Sequence, residues 1–337
     1  MSGQWHPGFF EEEPPKHLVG IARLASLGES LDEGHKVEYF SLPAQSLLNK
    51  CDSPRMPFTW TINPYRGCEF ACKYCYARYT HEFMEMHDGL EFERKIYVKQ
   101  NAGWLLRRDL KKVKRGESIA IGTATDPYQP AERRFGMTRT ILDELASHSG
   151  FDISIISKSD VILRDMDVFQ KIAAQNNLSI NLTVTTLDVE LARLLEPRAP
   201  RPDLRLNALR KLNDAGLRAG VAIAPVLPGI TDSPKQLDAL MKAAAEAGAQ
   251  WVFANPLFLK PCSEKVFMPF LAERFPALVE SYKQRFAKNA FLPAAYRKQI
   301  STLVEKLKSK YGVAEMRTTS SATPPRQPQE QQLRLFQ

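Results

Sequence analysis

At 337 residues the chain is long enough to bury a full core as one large domain or two modest ones, and 44% apolar with 25% charged residues fits a globular fold. Its 46 Lys and Arg against 38 Asp and Glu give a net charge of +8, which suits a polyanionic partner without demanding one. Five cysteines are an odd number in a chain too large to need disulfide staples, and no apolar run approaches the roughly 18 residues of a membrane helix, so a stapled miniprotein and a membrane span are both excluded.

Residues 1–55 begin proline-rich and acidic, where a secretory signal carries base and then an apolar segment, so a cytoplasmic protein is expected. The run VEYFSLPAQSLLNKC alternates enough for short strands, and this extension is expected to wrap the body without a core of its own. From FTWTIN onward one pattern repeats. Strand-length apolar runs at SIAIGT, DISIISK, SINLTVTT, LRAGVAIAPV and QWVFANP alternate with helical stretches such as TRTILDELASHS and SPKQLDALMKAAAEAG. Counting FTWTIN, six strands each followed by helix predict an α/β fold with a parallel sheet and right-handed crossovers, a partial (β/α)6 barrel over residues 56–260. Its active site belongs at the carboxyl ends of the strands. Residues 261–315 read as two or three helices set off by Pro269, Pro276 and Pro293, and 316–337 as a disordered tail.

Cys68, Cys72 and Cys75 fall within eight residues, in NPYRGCEFACKYCYAR, between the first strand and a helix-like stretch near 76–87. Three thiolates this close suit a soft metal centre. Zinc would want a fourth ligand, from His81 or His87. A cubane iron-sulfur cluster would keep one iron without a protein ligand, and an open position marks a catalytic centre.

The Cys-x3-Cys-x2-Cys spacing after the first strand of a βα repeat resembles the radical S-adenosylmethionine superfamily. That resemblance implies a [4Fe-4S] cluster held by Cys68, Cys72 and Cys75, with S-adenosylmethionine chelating the remaining iron and cleaved by one electron to a 5′-deoxyadenosyl radical. Tyr74 stands where the superfamily stacks the adenine. With GTATDPYQPAE, SKSDVILRD, LTVTT, LEPRAPRPDLRLNALRKLNDAGL and VAIAPVLPGITD, the chain from about 55 to 260 is similar to the spore photoproduct lyase subgroup, whose members are often described as DNA repair photolyase-like. By that resemblance Tyr76 joins Tyr74 in a radical relay, Ser157 and Lys158 meet the methionine carboxylate, and Thr183 and Thr185 contact the cofactor. Thr123, Thr125 and Asp126 occupy the second strand end, where the superfamily commonly has a Gly-Gly-Glu stretch that is absent here. Glu196 and Arg205 are read as a structural ion pair.

The lyase also needs a hydrogen-donating cysteine in that second region, and GTATDPYQPAE has none. Cys51 and Cys262 remain, and Cys262 after the sixth strand is the candidate donor. The expected function is therefore a radical enzyme acting on nucleic acid with its reaction open, served by an external one-electron donor. A small metabolite or peptide substrate and a non-catalytic zinc scaffold are the alternatives. The basic runs RKIYVK and LLRRDLKKVKR, with Tyr97 and Trp104 interleaved, offer a nucleic-acid surface through Arg107, Arg108, Lys111 and Lys112. Finally, Gln332, Leu333, Leu335 and Phe336 resemble the Gln-Leu-x-Leu-Phe peptide with which repair proteins dock on the bacterial DNA sliding clamp, a tether carrying apolar anchors.

Overall fold

A computed structural model of the chain describes residues 18–34, 36–53 and 56–313. In chain order its strands are β1 (Ser30–Gly34), β2 (Val37–Ser41), β3 (Leu48–Lys50), β4 (Trp60–Ile62), β5 (Tyr65–Arg66), β6 (Lys95–Val98), β7 (Ser118–Ile121), β8 (Asp152–Ser157), β9 (Asn177–Thr183), β10 (Ala219–Val226) and β11 (Val252–Pro256). The six apolar runs of the repeat became β4 and β7 to β11, and they run parallel in the order β11-β10-β9-β8-β7-β4. β3 adds an antiparallel edge beside β4. The two edges, β11 and β3, are not joined to each other, so the barrel is open on that side.

Burial on β8 shows how the sheet is dressed. Ile153 and Ile155 are fully buried in one cluster with Ile141, Leu142, Phe169 and Ile172 of the helices Met137–Leu145 and Met166–Gln175. Each such side chain contributes about 1.5–3 kcal/mol. The alternate position, Ser154, is half-buried and accepts from Asn181, which in turn accepts from the Trp251 indole. The helix Pro234–Glu246 starts at a capping box of Ser233 and Gln236, with proline at its first position.

The N-terminal extension joins the body as strands. β1 and β2 pair with β6 and β5 in a second sheet, ordered β1-β2-β6-β5, which buries Val37, Tyr39, Tyr65, Ile96, Val98 and Ala131 in a cluster of its own. The run RKIYVK is thus a half-hidden strand: Ile96, Tyr97, Val98 and Lys99 are all buried. After β11 the helices Pro261–Arg274, Val279–Phe286 and Ala294–Tyr311 follow, and Phe267, Leu271 and Tyr282 pack into one cluster with Phe70, Cys72 and Phe92. The C-terminal helices therefore close over the cysteine segment. No helix among the described residues is long and apolar enough to cross a membrane.

Candidate metal and cofactor site

The cysteine loop leaves β5 through Gly67 at φ +85, where a Cβ would lie 2.7 and 2.8 Å from the carbonyls of Lys95 and Phe92. Only glycine turns there without displacing backbone. Cys68, Cys72 and Cys75 are free thiols, the first two buried and the third half-buried. Side chains from distant segments then fix the loop. The Thr125 hydroxyl (2.6 Å) and the Gln129 amide (3.1 Å) donate to the Gly67 carbonyl, and Gln129 accepts from the Glu69 N–H (2.9 Å). Arg78, itself paired with Glu93 at 2.7 Å, donates to the Cys72 carbonyl (3.0 Å), and Ser263 donates to that of Cys75 (2.8 Å). The Lys73 N–H reaches the Leu195 carbonyl at 2.9 Å.

The donor set suits an iron-sulfur cluster. Burial pushes all three thiols up, Cys72 to about 12, so they ionise as a cation binds and release protons then. Among the described residues no three His, Cys, Asp or Glu side chains gather tightly enough for one ion, whereas a cubane spreads its cysteines over separate irons. Neither histidine considered for zinc joins the thiols: His81 Nε2 meets the Lys95 carbonyl at 3.0 Å with its ring 5.2 Å from that of Phe92, and His87 lies at the surface, 3.6 Å from Glu85.

At the strand ends, Asp126 does not stand free to meet a ligand. It accepts from the Ser157 hydroxyl (2.7 Å), the Lys158 N–H (2.7 Å) and the Tyr128 N–H (2.9 Å), tying the end of β8 to the segment after β7. Thr125 serves the cysteine loop, and the Thr123 hydroxyl accepts from Asn63 at 3.2 Å. The Lys158 ammonium stands 5.8 Å over the Tyr74 ring. Burial pulls that ammonium down, and the Cys72, Glu196 and Asp126 charges around it more than offset the effect.

Tyr74 is buried with its hydroxyl donating to Glu196 and 3.3 Å from that of Thr185. Glu196 also accepts from Thr185 (2.8 Å) and pairs with Arg205 at 2.5 Å, both side chains 1% exposed. Arg205 spends its other donors on the carbonyls of Thr183 (3.0 Å) and Pro200 (2.8 Å). Burial raises the Glu196 carboxyl, but Arg205 and Lys158 outweigh it and hold the group below its ordinary value. This network forms a charged floor beneath the cysteine loop. Tyr76, by contrast, is 40% exposed, donates to the Thr123 carbonyl and sets its ring 6.2 Å from Phe258. Cys262 is buried, its sulfur 3.7 Å from the Ser263 hydroxyl.

The outer basic helix is a different matter. Arg107 is held by Glu144 (2.7 Å), Arg108 and Lys112 flank Asp109 at 3.0 and 3.8 Å, and Tyr97 is buried in the core behind β6. Leu105 and Leu106 pack that helix on the outside of the main sheet, away from the cysteine loop. Trp104 remains exposed there, with Arg108 over its ring at 5.2 Å. Of the two aromatic residues in these runs, Tyr97 is thus withdrawn into the core, and Trp104 stays at the surface beside Arg108. The tail residues Gln332, Leu333, Leu335 and Phe336 lie outside the described residues.

Sequence reading missed Glu69, Arg78, Gln129 and Ser263, the groups that grip the loop. Each is a lone polar residue whose partner sits up to 188 positions away, as Ser263 does from Cys75. Their only local signal is proximity of the first two to the cysteines.

Comparison with known proteins agrees with this arrangement. Residues 62–241 match the family model of the radical SAM superfamily. An uncharacterised protein of Mycobacterium tuberculosis is 37% identical over 280 residues, 82% of each chain, and one of Methanocaldococcus jannaschii is 28% identical over 82% of this chain and 95% of its own. A mutant spore photoproduct lyase, solved with bound AdoMet and dinucleoside spore photoproduct, superposes with a TM-score of 0.60 at 13% identity, over 90% of this chain and 85% of that one.

Proposed function

The chain belongs to the radical SAM superfamily, and from that premise we propose that it is a radical enzyme whose substrate is nucleic acid. Membership implies a [4Fe-4S] cluster and S-adenosylmethionine, which when bound supply a one-electron route to hydrogen abstraction. In this reading Cys68, Cys72 and Cys75 hold the cluster. Lys158 offers a cation to the cofactor's carboxylate. Tyr74 and Thr185 extend the floor beneath it, and the end of β8 is kept in register by Asp126. Tyr76, exposed beside the strand ends, is the side chain of the loop that meets substrate.

The observation that carries the reading is the cysteine loop itself, gripped by Thr125, Gln129, Arg78 and Ser263 at the carboxyl ends of a parallel sheet that stays open on one side. A net charge of +8 and a fold shared with a lyase solved with a dinucleoside ligand support nucleic acid. The reaction stays open in this reading, because the region after β7 has no cysteine; Cys262, buried at the start of its helix, is the candidate hydrogen-donating thiol. An outside one-electron donor belongs to the reading. A cavity of about 610 Å³ on the solvent side of the loop, between Lys73, Gly89, Arg193 and Lys265, gives it an approach. The tail from Gln332 to Phe336 would tether the enzyme to the sliding clamp, and a pull-down that survives Leu335→Ala with Phe336→Ala dismisses that tether.

Anaerobic reconstitution with iron and sulfide, followed by reduction in the presence of S-adenosylmethionine, should release 5′-deoxyadenosine, and Cys68→Ala should not. Addition of irradiated single-stranded DNA should alter that DNA in the wild type alone. Turnover of the cofactor without any change in nucleic acid would move the substrate to a small metabolite or peptide.

A further inference from the structure

Arg66 and Lys99 are neighbours beneath the turn that follows the cysteines. Arg66 lies on β5 opposite Tyr97 of β6, and Lys99 is the first residue past β6, its N–H on the Pro64 carbonyl at 3.3 Å. Lys99 is 5% exposed, yet its ammonium makes no hydrogen bond or ion pair among the described residues. The charge that acts on it is that of Arg66, a like charge. Arg66 gives one nitrogen to the Thr80 carbonyl (3.2 Å), while its buried Nε has no partner. Buried cations are ordinarily paired with a carboxylate. The buried Lys99 beside the half-buried Arg66, with no carboxylate on either, leaves two like charges uncompensated.

A third cation closes the group. Lys260 places its ammonium 3.8 Å from the centre of the Tyr79 ring, and Tyr79 in turn acts on the Arg66 guanidinium. Tyr79 also feels the Cys51 thiol, one residue past β3, whereas Lys260 is four residues past β11. Tyr79 and Lys260 therefore lie between the segments that leave the two edge strands, β3 and β11. Beside them runs a strip of rings: Tyr76 and Tyr79 are three residues apart across the turn Tyr76–Arg78, Tyr76 faces Phe258 at 6.2 Å, and Phe258 packs on Phe291 at 4.6 Å. Tyr76 and Phe291 are 40% and 39% exposed. Cations that track a backbone next to faces that accept bases are the two elements of single-strand recognition.

We propose that Arg66, Lys99 and Lys260 form a phosphodiester subsite around Tyr79, which holds the backbone of a single-stranded substrate while a base rests on the Tyr76 ring beside Phe258. This rests on the nucleic-acid reading above and names where the strand would lie. Burial and Arg66 together pull the Lys99 ammonium to about 7, so an arriving phosphate draws a proton onto it. Arg66 supplies the planar fork and the lysines supply point charges.

The test uses the reconstituted holoenzyme and a fluorescein-labelled oligothymidylate, with binding followed by anisotropy across a salt series. Three phosphate contacts predict a fall of log affinity with log salt of roughly two, at about 0.7 per contact. Lys99→Met and Lys260→Met should each weaken binding roughly tenfold, as expected for loss of one charged contact, and reduce that slope by about 0.7. Lys99→Met deletes no bond within the fold, and Lys260 lies at the rim, so neither variant depends on the other's folding. Lys235→Met, exposed on the helix Pro234–Glu246, should bind as wild type does. Unchanged affinity and slope in both site variants, with the wild type binding, would overturn the subsite and leave the nucleic-acid reading standing. A wild type that binds no oligonucleotide ends both. Displacement of the oligonucleotide by micromolar inorganic phosphate would assign the cations to a small phosphorylated ligand and overturn the strand.

Discussion

Replacing Arg205 by methionine strips the floor of its one fully buried guanidinium, which pairs with Glu196 at 2.5 Å and serves the carbonyls of Thr183 and Pro200. Loss of one member of a buried pair ordinarily costs about 3–5 kcal/mol. Glu196 has an escape, because it can take up a proton. Keeping a carboxyl of ordinary value 4.5 protonated at neutral pH costs about 3–4 kcal/mol, so that figure caps the part of the penalty due to the unpaired carboxylate. The cap falls with pH and is below about 1 kcal/mol near pH 5. In the wild type the sign is opposite: the Glu196 carboxyl sits below its ordinary value, so its pair stabilises the fold above pH 4.5 and that contribution is lost as pH falls through the depressed value. Urea unfolding followed by circular dichroism at pH 7 and pH 5 should therefore show Arg205→Met losing about 3 kcal/mol at the higher pH and much less at the lower. Glu196→Gln combined with Arg205→Met should recover most of the loss. A penalty under about 1 kcal/mol at pH 7, or one that does not change with pH, refutes the account of the floor.

Three further outcomes are expected. Lys99→Met should raise stability at neutral pH by up to about 4 kcal/mol, because an ammonium held near 7 when folded and at 10.5 when unfolded makes the wild type gain stability as pH rises between those values; a melting series from pH 6 to 9 that is parallel for the two proteins would contradict it. Gly67→Ala puts a methyl within 2.8 Å of two carbonyls at a positive φ, so it should cost more than about 1 kcal/mol and lower the iron loaded per chain. Thr125→Val removes one of two donors to the Gly67 carbonyl and should cost about 1 kcal/mol, with Gln129→Leu additive only in part because the two side chains are bonded at 2.8 Å. Iron per chain after anaerobic reconstitution and the unfolding midpoint check both.

The six core strands were legible because each is a short apolar run between helical stretches, and burial between two layers demands that pattern. The second sheet was not, because one of its inner strands is written in RKIYVK, whose lysines and arginine look like a solvated face until β2 pairs with it across more than 50 residues. The cysteine spacing announced the metal site for the same local reason that a turn announces itself. Thr125 and Asp126 show the limit: position at a strand end marked them as cofactor contacts, whereas the structure gives their side chains to the Gly67 carbonyl and to the end of β8. A hydrogen bond between residues 58 positions apart leaves nothing in either local sequence to read.

Charge compensation divides the site into two levels. On the floor every cation has an answer within the protein, since Arg205 faces Glu196 and Lys158 stands among Glu196, Asp126 and the thiols. Such a surface suits a zwitterionic cofactor, which brings both signs and needs little net charge from its host. Around the turn after the cysteines Arg66, Lys99 and Lys260 have no carboxylate partner among the described residues. Holding Lys99 buried beside the like charge of Arg66 destabilises the protein, and a ligand of opposite sign would offset that cost. An uncharged metabolite would leave those three cations unanswered. In the proposed subsite a phosphodiester strand would answer them and present its bases to Tyr76, one residue from the cysteine that closes the cluster motif.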